Sequence, residues 1–382
     1  MISSCLPFPC DRRPGDQPGQ NGYPPLTTIY YYVSAECNLR CRHCWIAPQY
    51  SNQINTFLRW DDLRPIFKEA IELGLTDVKL TGGEPLLHPE FASILQGLNS
   101  LGLNTLIETN GILLDEPLAE LIKKTNTYVS ISLDGSQVST HENLRGVKGS
   151  FDRTVAAAKI LQKHDVTFQV IFSLHRGNAE ELLQTALLAK QLGAASLKVN
   201  PIAVEQRAGK MNRAGELFGA ADVIEIFHRF QSVSIPDFRI IFDLPPAFYP
   251  LQAAVLGDAG ICGIHNLLGL LANGTASVCG IGEKVEELNF GSVLTRGVRS
   301  VWTETPVLNE LRARIPGSLG GICSACIHAA YCLGKCAAMN YYDSGSLFAG
   351  HSFCQEAYEQ GLFPENRLYR QPRHVEREGV TC

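Results

Sequence analysis

The sequence predicts an α/β fold: a partial (β/α)6, TIM-like barrel followed by a small, irregular, cysteine-rich α+β region. Three observations predict it. Strand and helix patterns alternate six times between residues 26 and 235. Repeated β/α units require right-handed crossovers, which give parallel strands with helices outside, and six units fall short of the eight that close a full barrel. From about residue 236 the alternation stops and glycine and cysteine increase, with eight of the thirteen cysteines beyond that point.

The elements follow in order. Residues 1–25 hold six prolines and three glycines without a hydrophobic period, so they read as an irregular arm. Ile29 to Val33 is a β-branched and aromatic run, hence a strand. Leu63, Ile66, Phe67, Ala70 and Ile71 fall on one helical face over 61–73, and Gly74 stops that helix. Asp77–Leu80 is the next strand, followed by a helix over 89–101. A strand at Asn104–Glu108 leads to a helix over 115–124, then a strand at Tyr128–Leu133. Ser150–His164 is helical, Thr167–Ser173 a strand, Ala179–Leu192 a helix and Ser196–Asn200 a strand. Ala221–Phe230 is a further helix. The cysteine-rich region is expected over 236–364, with a charged, solvated tail at 365–382.

Composition narrows the function classes. Of 382 residues, 45% are hydrophobic and 19% charged, which fits a globular chain. The formal net charge of −5 offers no basic footprint for nucleic acid and no polybasic membrane patch. There is no run of eighteen apolar residues and no signal-peptide pattern at Met1–Cys5. Thirteen cysteines in a long chain without an export signal point to a cytoplasmic enzyme with metal-binding thiols rather than to a disulfide scaffold.

Spacing sharpens that reading. Cys37, Cys41 and Cys44 follow the first strand as C-x3-C-x2-C. Three thiolates on one short loop can hold three irons of a [4Fe-4S] cluster. Such clusters usually take four cysteines, so three leave one iron open to an exchangeable ligand, as in an open zinc site. A zinc knot of the three cysteines with His43 is the competing reading. The second strand ends in Thr81-Gly82-Gly83-Glu84-Pro85. Its glycines let backbone approach a ligand closely, and Glu84 can pair with a cationic amino group.

With these motifs the sequence resembles the radical S-adenosylmethionine (SAM) enzymes. The resemblance implies a cluster on Cys37, Cys41 and Cys44 whose open iron chelates SAM. Reductive cleavage of SAM then gives a 5′-deoxyadenosyl radical that abstracts a substrate hydrogen. It further implies SAM contacts from Gly82, Gly83, Glu84 and Pro85. Ser132 and Arg145 would hold the SAM carboxylate, a group that guanidinium binds in bidentate fashion. Asn110 and Asn200 are further SAM-contacting positions. The family usually has an aromatic residue before the third cysteine; here that position is His43, and Trp45 follows the cysteine.

The C-terminal cysteines run Cys262-x11-Gly274-x4-Cys279, then Cys323-x2-Cys326-x5-Cys332-x3-Cys336, then Cys354. This resembles the seven-cysteine SPASM domain found behind many radical SAM barrels. The resemblance implies two auxiliary [4Fe-4S] clusters, three in all with the catalytic one. Cys262, Cys279 and Cys336 would serve the nearer auxiliary cluster, and Cys323, Cys326, Cys332 and Cys354 the distal one. Two zinc sites are the rival reading. Some relatives supply a fourth near-cluster cysteine where Leu268 stands, so that cluster has an open iron or a non-cysteine ligand such as His265. Sulfatase-maturing members carry an aspartate base directly after the second auxiliary cysteine. Gly280 stands there, which argues against formylglycine formation. Cys5, Cys10 and Cys382 receive no role.

The expected function is a SAM-cleaving oxidoreductase that crosslinks a ribosomally made peptide, fed by a reduced flavodoxin or ferredoxin. The peptide leader would be bound by a separate protein, or the barrel would recognise the peptide directly. The alternatives are a peptide epimerase, a tetrapyrrole- or small-molecule-modifying enzyme of the haem-biosynthesis type, whose relatives share a similar Cys-Asn-Leu-Arg-Cys-Arg-His-Cys loop, and a non-catalytic metal scaffold.

Overall fold

A computed structural model describes residues 22–48, 57–204, 206–251 and 260–369. The expected arm up to residue 21, the tail from residue 370, and Cys5, Cys10 and Cys382 lie outside the described residues.

The alternating units form as read. β1 (Thr28–Ser34) leads to α1 (Trp60–Glu72), β2 (Asp77–Gly82) to α2 (Phe91–Ser100), and β3 (Asn104–Thr109) to α3 (Glu116–Lys124). Asp115 caps α3, its carboxylate accepting from the Leu118 N–H at 3.0 Å, which satisfies one orphan donor of the first turn. β4 (Tyr128–Ser132) is followed by two helices, α4 (Val138–Arg145) and α5 (Ser150–Lys163). Then come β5 (Phe168–Leu174), α6 (Leu182–Gln191), β6 (Ser196–Pro201), α7 (Ala208–Arg213) and α8 (Ala220–Gln231).

The boundary expected at residue 235 does not interrupt the sheet. β7 (Arg239–Phe242) pairs in parallel with β6, and β8 (Leu267–Leu270) pairs in parallel with β1 at the other edge. β9 (Thr275–Ser277) and β10 (Asn289–Ser292) add antiparallel strands, giving one ten-stranded sheet in the order β10-β9-β8-β1-β2-β3-β4-β5-β6-β7. The sheet is a partial barrel: among the described residues its edges, β7 and β10, do not pair. The late strands have three or four residues each, too few to show a period.

One face of this sheet is the core. Ile29, Tyr31 and Val33 of β1, Val78 and Leu80 of β2, Val129 and Ile131 of β4, Phe168, Val170 and Phe172 of β5, and Leu197 and Val199 of β6 pack with the helices into one buried cluster. Each such side chain contributes roughly 1.5–3 kcal/mol. The alternate residues turn inward, and they are largely polar: Tyr30, Tyr32, Lys79, Thr81, Glu108, Ser130, Ser132, Gln169, Ser173, Lys198 and Asn200. A parallel sheet normally has both faces apolar, so a polar inner face marks a site.

Beyond the β1–β8 pairing, hydrogen bonds and an ion pair tie the cysteine-rich region to the barrel helices. The Val298 N–H donates to Glu69 of α1 at 2.7 Å, and Arg299 pairs with Glu72 at 2.7 Å. On the far side, the Ala220 N–H of α8 donates to Glu356 at 3.0 Å. The first residues of the expected tail are exposed or half-buried and dock through their backbone: Leu368 bridges to Cys326, and the Tyr369 N–H donates to the Ala325 carbonyl at 2.9 Å. None of the described helices is long and apolar enough to cross a membrane.

Candidate active site

The cysteine loop leaves β1 at the C-terminal edge of the sheet, where parallel barrels place their chemistry. Two neighbours hold its backbone. The Gly83 N–H donates to the Ser34 carbonyl and the Glu84 N–H to the Glu36 carbonyl, both at 2.7 Å. From the other side, the Arg40 and Arg42 N–H groups donate to the carbonyls of Arg145 and Leu144 at the end of α4. A Cβ on Gly83 would stand 2.0 Å from the Glu36 carbonyl oxygen, and one on Gly82 2.5 Å from that of Ser34. The close approach that requires these glycines is therefore to the cysteine loop, a cause the sequence reading did not include.

Glu84 is buried. Its carboxylate accepts from the Thr109 hydroxyl at 2.6 Å, the Asn110 N–H at 2.9 Å and the Leu86 N–H at 3.1 Å. Burial outweighs these donors and pushes its pKa up to about 7. Three protein donors already occupy its two oxygens, so Glu84 ties the ends of β2 and β3 together. Asn110 reaches the loop: its Nδ2 donates to Asn38 Oδ1 at 2.7 Å and lies 4.0 Å from Cys37 Sγ.

Arg145, at the end of α4, donates from Nε to Asp134 at 2.5 Å and from Nη1 to Cys41 Sγ at 3.7 Å. Asp134 is fully buried and also accepts from the Ser173 N–H at 2.8 Å. Burial raises its pKa, but the guanidinium more than offsets this and holds it at about 2. A carboxylate with a depressed pKa stabilises the fold above its ordinary value of about 3.9 and loses that contribution as pH falls through the native value. This pair is thus at full strength at neutral pH. Asp134→Asn, which breaks a buried ion pair at nearly constant volume, should lower stability by about 3 kcal/mol in urea unfolding at pH 7. An unchanged midpoint would contradict the assignment.

His43 lies against the same group. Its Nε2 is 3.3 Å from the Ser173 hydroxyl, and burial with the nearby Arg145 charge lowers its pKa to about 3. It is a neutral ring beside Asp134 and Arg145, a neighbourhood that no local pattern in the sequence encodes.

The three thiols interact with one another electrostatically, and burial pushes Cys37 up to about 12. Leu39 N–H donates to Cys37 Sγ at 3.4 Å. Cys262, Cys279 and Cys336 form a second mutually interacting group, with Cys279 pushed up to about 12 by burial. Cys323, Cys326, Cys332 and Cys354 line one cavity with Pro245, His328 and His351. In that cavity the His351 and His328 N–H groups donate to Cys323 and Cys326 Sγ, each at 3.4 Å.

The donor sets fit iron–sulfur clusters. They are soft thiols in groups of three, three and four, with N–H and guanidinium donors on sulfur. Among the described residues, no group of three His, Cys, Asp or Glu converges on a point that would hold a single metal ion; a cluster spreads its thiolates over separate irons. The fourth-ligand expectations are also located. Leu268 lies in β8 with its side chain in the outer core. His265 stands beside the Arg312 charge and the Leu311 backbone, and its Nε2 is buried without a hydrogen-bond partner among the described residues.

A family model described as the radical SAM superfamily matches residues 31–189. The chain carries a radical SAM domain. The match covers β1 to α6, the elements that hold the cysteine loop, the Gly82–Pro85 segment and Arg145. Over 350 residues the chain is 27% identical to the AdoMet-dependent heme synthase of Methanosarcina barkeri, covering 85% of this chain and 95% of that protein. It is 26% identical over 254 residues to the PqqA peptide cyclase of Ruegeria pomeroyi, covering 64% and 66%. Its fold is similar to that of Streptococcus suis SuiB bound to precursor peptide SuiA, with a TM-score of 0.68 at 17% identity, over 87% of this chain and 76% of that one.

The radical SAM domain meets the cysteine-rich region at Gly280. A Cβ there would stand 2.5 Å from Tyr32 and 2.6 Å from Trp45, whose rings meet edge to face. An aspartate at this position has no room. Gly280→Asp should therefore destabilise the protein by about 3 kcal/mol and confer no formylglycine formation on a sulfatase peptide. A stable variant that makes formylglycine would contradict this packing.

Proposed function

We propose that the chain is a radical SAM/SPASM oxidoreductase that abstracts hydrogen from a substrate held against the polar inner face of the barrel, and that this substrate is a ribosomally made peptide which leaves oxidatively crosslinked. The observation that carries the reading is the gathering of ten cysteines into three spatial groups, the first at the C-terminal ends of the parallel strands. In this reading Cys37, Cys41 and Cys44 hold the catalytic [4Fe-4S] cluster. Cys262, Cys279 and Cys336 hold the nearer auxiliary cluster, and Cys323, Cys326, Cys332 and Cys354 the distal one. When bound, the catalytic cluster and SAM supply a reductively generated carbon radical that can take hydrogen from an unactivated C–H bond.

The chain's own residues do the positioning. Arg145 places positive charge on the Cys41 sulfur while Asp134 fixes the guanidinium. Gly82 to Pro85 brace the loop, and Asn110 reaches across to Asn38. Ser132 and Asn200 end β4 and β6 on the inner face, where they would contact SAM. Tyr32 and Trp45 pack against Gly280, the residue after Cys279. A flavodoxin or ferredoxin is the proposed reductant.

A peptide substrate is supported by the likeness to a peptide cyclase and by the fold shared with SuiB. A tetrapyrrole-type substrate is the second reading, favoured by the nearly end-to-end match to a heme synthase. Anaerobic reconstitution with SAM, reductant and the gene-adjacent peptide, read by mass spectrometry, tests the choice. Loss of two hydrogens from the peptide supports crosslinking. Deuterium uptake from solvent at unchanged mass in ordinary water means epimerisation. An unmodified peptide under conditions where SAM is consumed would overturn the peptide assignment.

A further inference from the structure

We propose that Lys198, on the inner face of β6, is the anchor for a substrate carboxylate. The proposal rests on the reading that substrate enters the barrel.

Five charged groups run across the inner face and into the adjoining loops. Lys79 donates to Glu108 at 3.1 Å and lies 3.8 Å over the Tyr30 ring. Glu108 interacts in turn with Lys198. Lys198 lies 3.6 Å from Asp243, and Asp243 accepts from Lys335 at 2.7 Å. Three ammonium groups thus face two carboxylates, and Lys79 and Lys335 also stand beside cysteines, Cys279 and Cys262. Lys79 is committed to Glu108 and the tyrosine ring. Lys335 is buried, with a second acceptor in the Gly260 carbonyl at 2.6 Å. Lys198 has the longest ion pair of the set, and its side chain is 32% exposed. Lys198 is therefore the ammonium of the row whose protons are least committed, and a carboxylate can accept a short charge-assisted hydrogen bond from it.

Its position suits the chemistry. Lys198 lies two residues, roughly 7 Å, below Asn200 at the end of β6. Asn200 is paired in register with Ser173, whose hydroxyl touches His43 beside Cys44. Among the described residues Asn200 Oδ1 is buried without a hydrogen-bond partner, at the level where SAM is proposed to sit. A substrate held by a carboxylate at Lys198 would extend upward past Asn200 toward the cysteine loop.

The test measures binding to the reconstituted full chain with two probe pairs. One is coproporphyrin III, a fluorescent tetrapyrrole with four carboxylates, against its tetramethyl ester. The other is an N-acetylated, C-amidated glycine–serine peptide with a single glutamate and an uncharged coumarin label, against its glutamine counterpart. In at least one pair the acid should bind about tenfold tighter than the neutral form. Lys198→Met should bring that ratio close to one while leaving the neutral form's affinity unchanged, which also reports an intact fold. Lys198→Arg should keep the preference. The pair that responds identifies the carboxylate's source as tetrapyrrole or peptide. Equal binding of acid and neutral forms in both pairs, no binding of either acid, or a ratio preserved in Lys198→Met would overturn the proposal. Binding needs no SAM cleavage, so deoxyadenosine formation assayed without probe reports separately on the proposed function.

Discussion

Gly83→Ala is expected to abolish reductive SAM cleavage without removing any ligand. Its new methyl group would lie 2.0 Å from the Glu36 carbonyl oxygen, one residue before Cys37. Neither side can yield cheaply. The Gly83 N–H is bound to the Ser34 carbonyl, and the next N–H, that of Glu84, is bound to the same Glu36 carbonyl. The contact is backbone against backbone, so no rotamer change relieves it. Overpacking of this kind costs about 3 kcal/mol, and the strain falls on the loop that spaces the three thiols. The variant should retain its far-ultraviolet circular dichroism, lose the catalytic cluster on reconstitution and form no 5′-deoxyadenosine. Wild-type turnover from Gly83→Ala would show that this contact does not set the loop.

Replacing Cys37, Cys41 and Cys44 together by alanine is the second large effect. Three four-iron clusters give about twelve irons per chain. The triple variant should keep about eight and lose all SAM cleavage, because the other two cysteine groups are spatially separate. Cys323, Cys326, Cys332 and Cys354 have their own cavity, and Cys262, Cys279 and Cys336 their own neighbours. Iron falling to zero would mean that the three sites assemble as one unit. Wild-type iron of about four would refute the auxiliary clusters.

The barrel was legible in the sequence because its strands carry long β-branched runs and its helices an apolar face at helical spacing. Ile29 to Val33 and Leu63 to Ile71 are the clearest cases. The cysteine groups were legible because cluster ligands are rare residues whose spacing survives without periodicity. What escaped was short or set by tertiary contact. α4, Val-Ser-Thr-His-Glu-Asn-Leu-Arg, is polar, and only His141, Leu144 and Arg145 are buried. Arg145 was picked out as a ligand for SAM; that it is held by Asp134 and aimed at Cys41 depends on how α4 docks, which no local pattern encodes. β7 and β8 are too short to read, yet they carry the sheet past the expected boundary. The inner charged row did leave a trace. Lys79, Glu108 and Lys198 each sit in a strand at the position opposite the core-facing residues, and reading that parity would have found them.

The central claim is that the loop at the end of β1 drives reductive cleavage of SAM. The most direct measurement incubates the anaerobically reconstituted wild-type protein with SAM and a low-potential reductant and quantifies 5′-deoxyadenosine by liquid chromatography with mass spectrometry. The account predicts that it accumulates and that the Cys37/Cys41/Cys44 triple variant makes none. Fully iron-loaded protein that makes no deoxyadenosine would contradict the account and leave an iron–sulfur scaffold in its place.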